Sequence, residues 1–447
     1  MPPKIMIIGA HAAGVDAASA SRKTDRTAEI TLITKEKKAA YSRCGIPFVL
    51  GGHVKSFDDL VVFPESFYKL MKLNLLTQTT VTKIDPENKT VDITDKFGNP
   101  SSLSYDSLII TTGADPSMPK IKGLEKQGVF FVRTIDDGQK IDKTLKTAKS
   151  AVVIGSGLVG LEVAVAFRER GLTVTVVEYL PCVLPFLLDN DMADRVQKML
   201  EEKGVNFVLG KPVEEILGSN KVTGVRVLQK TIPADVVVVA TGVTPNVELA
   251  KNAGVELGKT KAIKTNSKME TNISGVYAAG DCVESENLIA GVPMLSQLGT
   301  TAVRQAKVAG INAAGGKSEF VGTLGSWITR LFETEIGGTG LPVFMAEKYG
   351  VKSVSGTISS KTRADYFPGA LPIRIKLVAE KQTGKLISAQ IIGGEEVTQR
   401  INAMSYAIQK GMTAQELAKA ETCYAPPVSE TWEPTVLVAE LLLRKLK

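Results

Sequence analysis

The 447-residue sequence predicts an α/β protein: two Rossmann-like dinucleotide-binding units, followed by a smaller α+β domain. Three observations carry this prediction. An apolar run, Lys4–Ile8, leads into Gly9-Ala10-His11-Ala12-Ala13-Gly14 and then an alanine-rich stretch, which reads as strand, tight turn and helix. The same grammar returns at residues 151–154, followed by Gly155-Ser156-Gly157-Leu158-Val159-Gly160 and a helical stretch through Arg170. Both units also close alike, on apolar strands that run into Thr111-Thr112-Gly113 and Ala240-Thr241-Gly242, where glycine lets the backbone turn away.

The remaining elements follow in chain order. A second strand is expected at residues 30–34 of the first unit, and its counterpart at residues 174–177 of the second closes on Glu178. After Gly242 comes Val276-Tyr277-Ala278-Ala279-Gly280-Asp281, an apolar strand ending in Gly-Asp that is expected to rejoin the first sheet. The second unit is thus inserted into the first. A helix is expected from about residue 300 to 313. Beyond Gly325, apolar runs at residues 371–378 and 386–392 precede a helical stretch at 397–410, together a separate α+β domain. The expected limits are 1–112 with 245–325 for the first unit, 113–244 for the second and 326–447 for the last.

Composition narrows the function. Net charge is +7 from 54 basic and 47 acidic residues, without a long basic block or a basic stripe interleaved with aromatics, so no nucleic-acid partner is expected. The mild excess suits phosphorylated small molecules. No apolar run approaches the roughly 20 residues that span a bilayer, and the run at residues 5–8 stops at Gly9. No signal peptide and no membrane association are expected. Cys44, Cys182, Cys282 and Cys423 have neither paired spacing nor metal-ligand spacing, which points to a reducing cytoplasm and no metal.

The chemistry lies at the glycine motifs and between them. Gly155, Gly157 and Gly160 match the dinucleotide fingerprint in full: the first makes the turn, the second admits a pyrophosphate and the third packs helix on strand. Glu178 stands 23 residues past Gly155, placed to accept from adenosine ribose hydroxyls and to repel a 2′-phosphate, which favours NADH over NADPH. Glu162 sits in the first turn after the motif, either reaching a nicotinamide or lying on the surface. The first motif is less regular. His11 replaces the middle glycine, Thr34 stands where an acid usually closes the strand, and Glu36 comes two residues late. Asp281, after Gly280, is placed to accept from a sugar-like hydroxyl of a cofactor. Between the motifs lies Tyr41-Ser42-Arg43-Cys44-Gly45-Ile46-Pro47. Pro47 suits a first helical turn, so Cys44 is expected at a helix N-terminus, with its pKa lowered from about 8.5 toward 7 or below. No second cysteine is near in sequence, so Cys44 is expected to meet its redox partner on the substrate.

Together these residues resemble the two-dinucleotide-domain flavoprotein disulfide reductases. Within them the match is to the single-cysteine branch of coenzyme A-disulfide reductases, NADH oxidases, peroxidases and persulfide or polysulfide reductases. The likeness covers the whole chain, and its most branch-specific element is Ser42-x-Cys44-Gly45-Ile46-Pro47, followed by Phe48 where the family often has tyrosine. The resemblance implies FAD in the first unit, on Gly9, His11, Ala12, Ala13, Gly14, Thr34, Lys35, Ser42, Thr112, Gly113, Gly280, Asp281 and Thr301. It implies NADH or NADPH in the second, on Gly155, Gly157, Leu158, Val159, Gly160, Glu162, Glu178 and Gly242, and a homodimer, or a dimer of dimers, formed by the last domain.

Oxidases and peroxidases of this branch place a histidine at the fourth position of the first motif, which here is Ala12, so the sequence leans away from oxygen chemistry. Tyr366 and Tyr424 resemble tyrosines lent to the partner subunit's active site, or are interface aromatics; Arg22 and Lys23 resemble residues that hold coenzyme A phosphates. Cys423, beside Tyr424, is a candidate resolving thiol across a dimer. The expected reaction passes electrons from NADH through flavin and Cys44 to coenzyme A disulfide, its persulfide or a polysulfide. The alternatives are an NADH oxidase working through a Cys44 sulfenic acid and a non-enzymatic NADH-sensing flavoprotein. No appended sulfurtransferase-like domain is expected, which leaves the sulfur donor to diffuse in.

Overall fold

In the computed structural model, which describes residues 1–446, each glycine motif opens from the middle of a five-stranded parallel sheet. The first sheet runs Val276–Ala278, Ser107–Ile110, Lys4–Ile8, Glu29–Ile33, Leu73–Leu76. The second runs Val205–Leu209, Thr173–Glu178, Ser150–Ile154, Val236–Val239, Val129–Phe131. Helices cover both faces of such sheets, so their central strands read as unbroken apolar runs: Ile5 to Ile8 and all of Val236–Val239 are buried. The Val276–Ala278 strand does return to the first sheet, pairing with Ser107–Ile110.

Each motif turns into a helix, Ala12–Thr24 in the first unit and Leu158–Glu169 in the second. The third glycine of each permits the tight exit, because a Cβ on Gly14 would lie 1.9 Å from the Gly9 carbonyl oxygen and one on Gly160 2.1 Å from that of Gly155. The helix expected near residues 300–313 runs Gly299–Ala313 and packs closely on Ala12–Thr24, with Ser21 Oγ donating to the Gly310 carbonyl at 3.0 Å.

The last domain is an antiparallel five-stranded sheet: Trp327–Leu331, Thr334–Gly340, Leu386–Gly393, Pro372–Glu380, Ser353–Lys361. Helices Val397–Gln409 and Pro434–Leu446 pack on it. The pattern of the chain does not announce Pro434–Leu446, nor the small sheet Thr80–Asp85, Thr90–Thr94, Pro100–Ser104, whose outer strands are polar and largely exposed. Among the described residues no helix is long and apolar enough to cross a membrane.

Candidate active site

Residues Arg43–Gly45 form one 3-10 turn that continues into the short helix Ile46–Leu50, with Pro47 in its first turn. Gly45 packs closely there: a Cβ would lie 2.4 Å from Leu60 Cδ2 and would have to move that side chain. Two arginines fasten the segment: Arg43 Nη1 donates to the Arg133 carbonyl at 3.0 Å and Arg170 Nε to the Leu50 carbonyl at 2.7 Å. Cys44 thus stands on a rigid turn with its thiol exposed, Cys182 and Cys282 are buried and unpaired, and Cys423 is exposed and free. Ser42 caps the turn by position but not through its hydroxyl.

The lowered thiol pKa expected from the helix terminus is not found. Although the residue keeps an open side, desolvation by the chain packed around its turn pushes Cys44 above the usual thiol value, the Glu162 and Asp281 carboxylates push it further, and Arg133 opposes them only in part. A helix of five residues supplies too little aligned dipole to offset this.

Glu162 belongs to the site rather than to the surface. Its Oε1 accepts from Thr329 Oγ1 at 2.7 Å, which ties the second unit to the Trp327–Leu331 strand of the last domain. Burial raises its pKa from 4.5 to about 7, against the lowering effect of Thr329. A carboxyl raised in this way stabilises the fold fully below its unfolded value and loses that contribution as pH rises through about 7. Glu162→Gln is therefore expected to match the parent near pH 4.5 and to exceed it at pH 8 by up to about 3 kcal/mol, at about 1.4 kcal/mol per pKa unit. Denaturant midpoints of nicotinamide-free protein across that range measure the difference.

The second unit offers an open groove. Gly157 starts the helix, and no atom lies within 4 Å of where its Cβ would be; Gly242, at φ 98°, is equally open. Val159 is exposed and Leu158 half-buried along that rim. Glu178 is buried below it. Its Oε2 accepts from Ser156 N–H at 2.8 Å and Ser156 Oγ at 3.0 Å, and its Oε1 from Leu180 N–H at 2.9 Å. Three of its four acceptor positions are filled, which leaves one for a ribose hydroxyl.

The first unit holds the same motif with different chemistry. His11 ends the turn, Ala12 is exposed, and Ala13 and Gly14 are buried. The His11 ring points neither outward nor at Cys44: its Nε2–H donates to Glu36 Oε1 at 3.0 Å and its edge meets the Tyr41 ring at 4.6 Å between centroids. Thr34 is buried, and its hydroxyl accepts the Glu36 N–H at 3.3 Å; Lys35 is exposed, 4.0 Å from Asp115. Thr112 clasps Asn246, Oγ1 donating to its carbonyl at 2.6 Å, and Gly113 turns at φ 67°. The Gly280 N–H donates to Gln305 Oε1 at 2.9 Å, while Asp281 Oδ2 accepts from Arg133 Nη2 at 3.1 Å. Thr301 shares its hydroxyl with Ser296 at 2.8 Å, so the helix-end N–H is what it has to offer. Arg133, Glu36 and Arg43 are site residues that pattern reading does not select. Glu36 had a signal in its offset from Thr34, and Arg43 in its place beside Cys44; Arg133 had none.

Two other expectations fare differently. Arg22 is not available to a phosphate: its guanidinium donates to the carbonyls of Met71, Lys72 and Arg26, each at 2.9 Å, and of Asp25 at 3.4 Å, which spends four of its five donors on closing the helix end. Lys23 is exposed beside it. Tyr366 and Tyr424 do come together, with hydroxyls 3.1 Å apart on an exposed face of the last domain, and that hydrogen bond raises the Tyr366 pKa.

Residues 3–309 match the model of the pyridine nucleotide-disulphide oxidoreductases, and residues 328–436 match that family's dimerisation domain. The chain belongs to the pyridine nucleotide-disulphide oxidoreductase family. It is 47% identical to an NADH oxidase of Methanocaldococcus jannaschii over 99% of both chains. It is 33% identical to an NAD(P)H coenzyme A polysulfide/persulfide reductase of Pyrococcus horikoshii, again over 99% of both. A solved NAD-dependent persulfide reductase from A. fulgidus superposes with a TM-score of 0.96 at 39% identity, covering 99% of this chain and 83% of that one.

As a member of this family the chain is an oxidoreductase that uses FAD and NAD(P)H. The residues present fit both cofactors. Over Gly157 the second unit leaves the open space that a dinucleotide requires. At the first-unit site, His11 Nδ1 and Gln297 Nε2, together with Nε of Arg133, which reaches Asp281 from the second unit, lack any partner within the protein.

Proposed function

We propose that this oxidoreductase reduces low-molecular-weight disulfides, persulfides or polysulfides, coenzyme A disulfide and coenzyme A persulfide foremost, with NADH as donor. The observation that carries the reading is Cys44: one exposed thiol on a rigid turn, facing Glu162, Asp281 and Arg133, with no second cysteine on its segment to form an internal dithiol. Bound FAD would supply two electrons, drawn from the nicotinamide, to sulfur. Cys44 thiolate attacks one sulfur of the substrate; the Cys44–S bond forms as the S–S bond breaks, and a thiolate or hydrosulfide leaves. The two electrons then cleave the Cys44–S bond, releasing the second thiolate and restoring Cys44.

The other residues serve this cycle. Arg133 offsets the carboxylates that oppose the Cys44 thiolate, and the Tyr366–Tyr424 pair, lent across a homodimer, protonates the leaving sulfur. Glu178 selects NADH by excluding a 2′-phosphate, and Glu162 contacts the nicotinamide. Within the domain limits given above, FAD occupies the first unit on Gly9 to Gly14, Ser42, Thr112, Gly113, Gly280, Asp281 and the Thr301 helix end. Free cysteines throughout fit a reducing cytoplasm. A second reading, oxygen reduction, is favoured by the M. jannaschii relative.

Anaerobic NADH oxidation by FAD-loaded protein separates the two, assayed with coenzyme A disulfide and with coenzyme A persulfide beside an aerobic assay lacking both. Fast sulfur-dependent turnover is expected. Rapid NADH loss only in oxygen would replace this reading with the oxidase.

A further inference from the structure

The two glycine motifs of this chain can be compared position by position, because their strands are in the same register. Ile8 lies opposite Ile33 and Ile154 opposite Val177; the next N–H, of Gly9 and of Gly155, donates to the Ile33 and Val177 carbonyls at 2.8 and 2.9 Å. The residue that follows on the neighbouring strand is Thr34 in one unit and Glu178 in the other. Glu178 presents a carboxylate under its glycine turn. Thr34 presents a hydroxyl that is used internally, accepting the Glu36 N–H.

That same hydrogen bond folds the chain back and returns a carboxylate to the turn. Glu36 reaches the motif through His11, which occupies the position of Gly157. In the second unit a Cβ there would meet only open space, the track left for the dinucleotide. In the first unit His11 places a side chain at that position, and its imidazole turns to Glu36 and Tyr41. Glu36 Oε1 accepts from His11 Nε2–H and from Arg43 Nη2, and Oε2 accepts from the Tyr41 hydroxyl, so one of four acceptor positions remains. Since Nε2 carries the proton given to the carboxylate, Nδ1 of the neutral ring is an acceptor, and it is buried without a partner.

We infer that Glu36, displaced two residues from the usual position and held by His11, Tyr41 and Arg43, receives the adenosine ribose of FAD, its free acceptor position and His11 Nδ1 taking the two vicinal hydroxyls. The assignment gives a function to the histidine that replaces glycine and to an acid outside the fingerprint. It rests on FAD lying in the first unit, not on the sulfur substrate. Burial works against the Glu36 charge, but the hydrogen bond and charge of the surrounding donors carry its pKa down to about 2, so the acceptor is ionised throughout the useful pH range. His11, its own pKa lowered by burial, is neutral at pH 7.

The test is binding rather than turnover. Protein freed of FAD is titrated with FAD and with analogues lacking the adenosine 2′- or 3′-hydroxyl, following quenching of flavin fluorescence. The parent protein is expected to bind at least one analogue about tenfold or more weakly, as for loss of a hydrogen bond to a charged acceptor. Glu36→Gln is expected to lose about the same factor for FAD and then to distinguish FAD from that analogue by less than about twofold. Should Glu36→Gln not take up flavin at all, His11→Val, which frees the carboxylate and removes Nδ1, carries the comparison, with weakened FAD binding and reduced discrimination expected. A parent protein indifferent to both hydroxyls, or a Glu36→Gln protein that discriminates as the parent does, overturns the assignment whatever the enzyme proves to reduce.

Discussion

Replacing Cys44 by serine is expected to remove sulfur-dependent NADH oxidation, by on the order of a thousandfold or more, while FAD and NADH still bind. The substitution is nearly isosteric on an exposed turn whose geometry is set by Gly45, Arg43 and Arg170, so the fold loses little. What is lost is chemistry, because serine is not ionised at neutral pH and cannot form or release a bond to sulfur as a thiolate does. The raised thiol pKa sharpens this expectation. With Glu162 and Asp281 facing Cys44, thiolate is scarce in the free chain, and nothing else on that segment can take over the attack. Anaerobic turnover with coenzyme A disulfide, alongside equilibrium binding of NADH to FAD-loaded variant, measures both halves. Near-normal turnover would exclude Cys44 as the attacking group.

What the sequence reveals and what it conceals divide along a physical line. The glycine motifs, the strands beside them and the return strand before Asp281 are local: each depends on a run of apolar residues and on a turn only glycine can make, so each is written in consecutive residues. The Cys44 pKa is not local. It is set first by desolvation from the surrounding chain and then by carboxylates on Glu162 and Asp281 that arrive from a different helix and a different strand end, and together they outweigh the short helix that Pro47 announces. Arg22 misleads for a related reason. It resembles a residue that holds coenzyme A phosphates, but the residue 71–72 turn packs against it and supplies carbonyls instead. Glu36 lies in between, visible as an oddity of spacing but given meaning only when the fold brings it under His11.

Lys376→Met is expected to cost about 3–5 kcal/mol, the largest stability effect of any single side chain considered. Lys376 lies on the Pro372–Glu380 strand of the last domain with only 8% of its side chain exposed, and its Nζ is 3.0 Å from Asp189, whose side chain is 7% exposed. Asp189 stands just before the Asn190–Glu202 helix of the second unit without capping it through its side chain. Its carboxylate instead accepts from Gln390 Nε2 at 2.8 Å, and its own N–H donates to Gln390 Oε1 at 2.9 Å. Removing the lysine leaves that carboxylate buried with a neutral partner only. Asp191, 2.6 Å from the same Nζ, is 43% exposed and adds little.

Lys376→Met combined with Asp189→Asn should recover much of the loss, because no charge is then stranded. Flavin fluorescence and tryptophan fluorescence from Trp327 and Trp432 should be followed separately during denaturation, since a chain of several units need not unfold in one step. A cost below about 1 kcal/mol would mean that the pair does not fasten the two domains. The fastening matters to the active site because the last domain also supplies Thr329 to Glu162. If the domains loosen, Glu162 gains water and loses its hydroxyl partner together, and since burial is the larger influence, its pKa should fall back from about 7 toward the ordinary carboxylate range. The Lys376→Met protein should therefore show a weaker decline in stability between pH 5 and 8 than its parent, linking the buried ion pair between the two domains to the titration of an active-site acid.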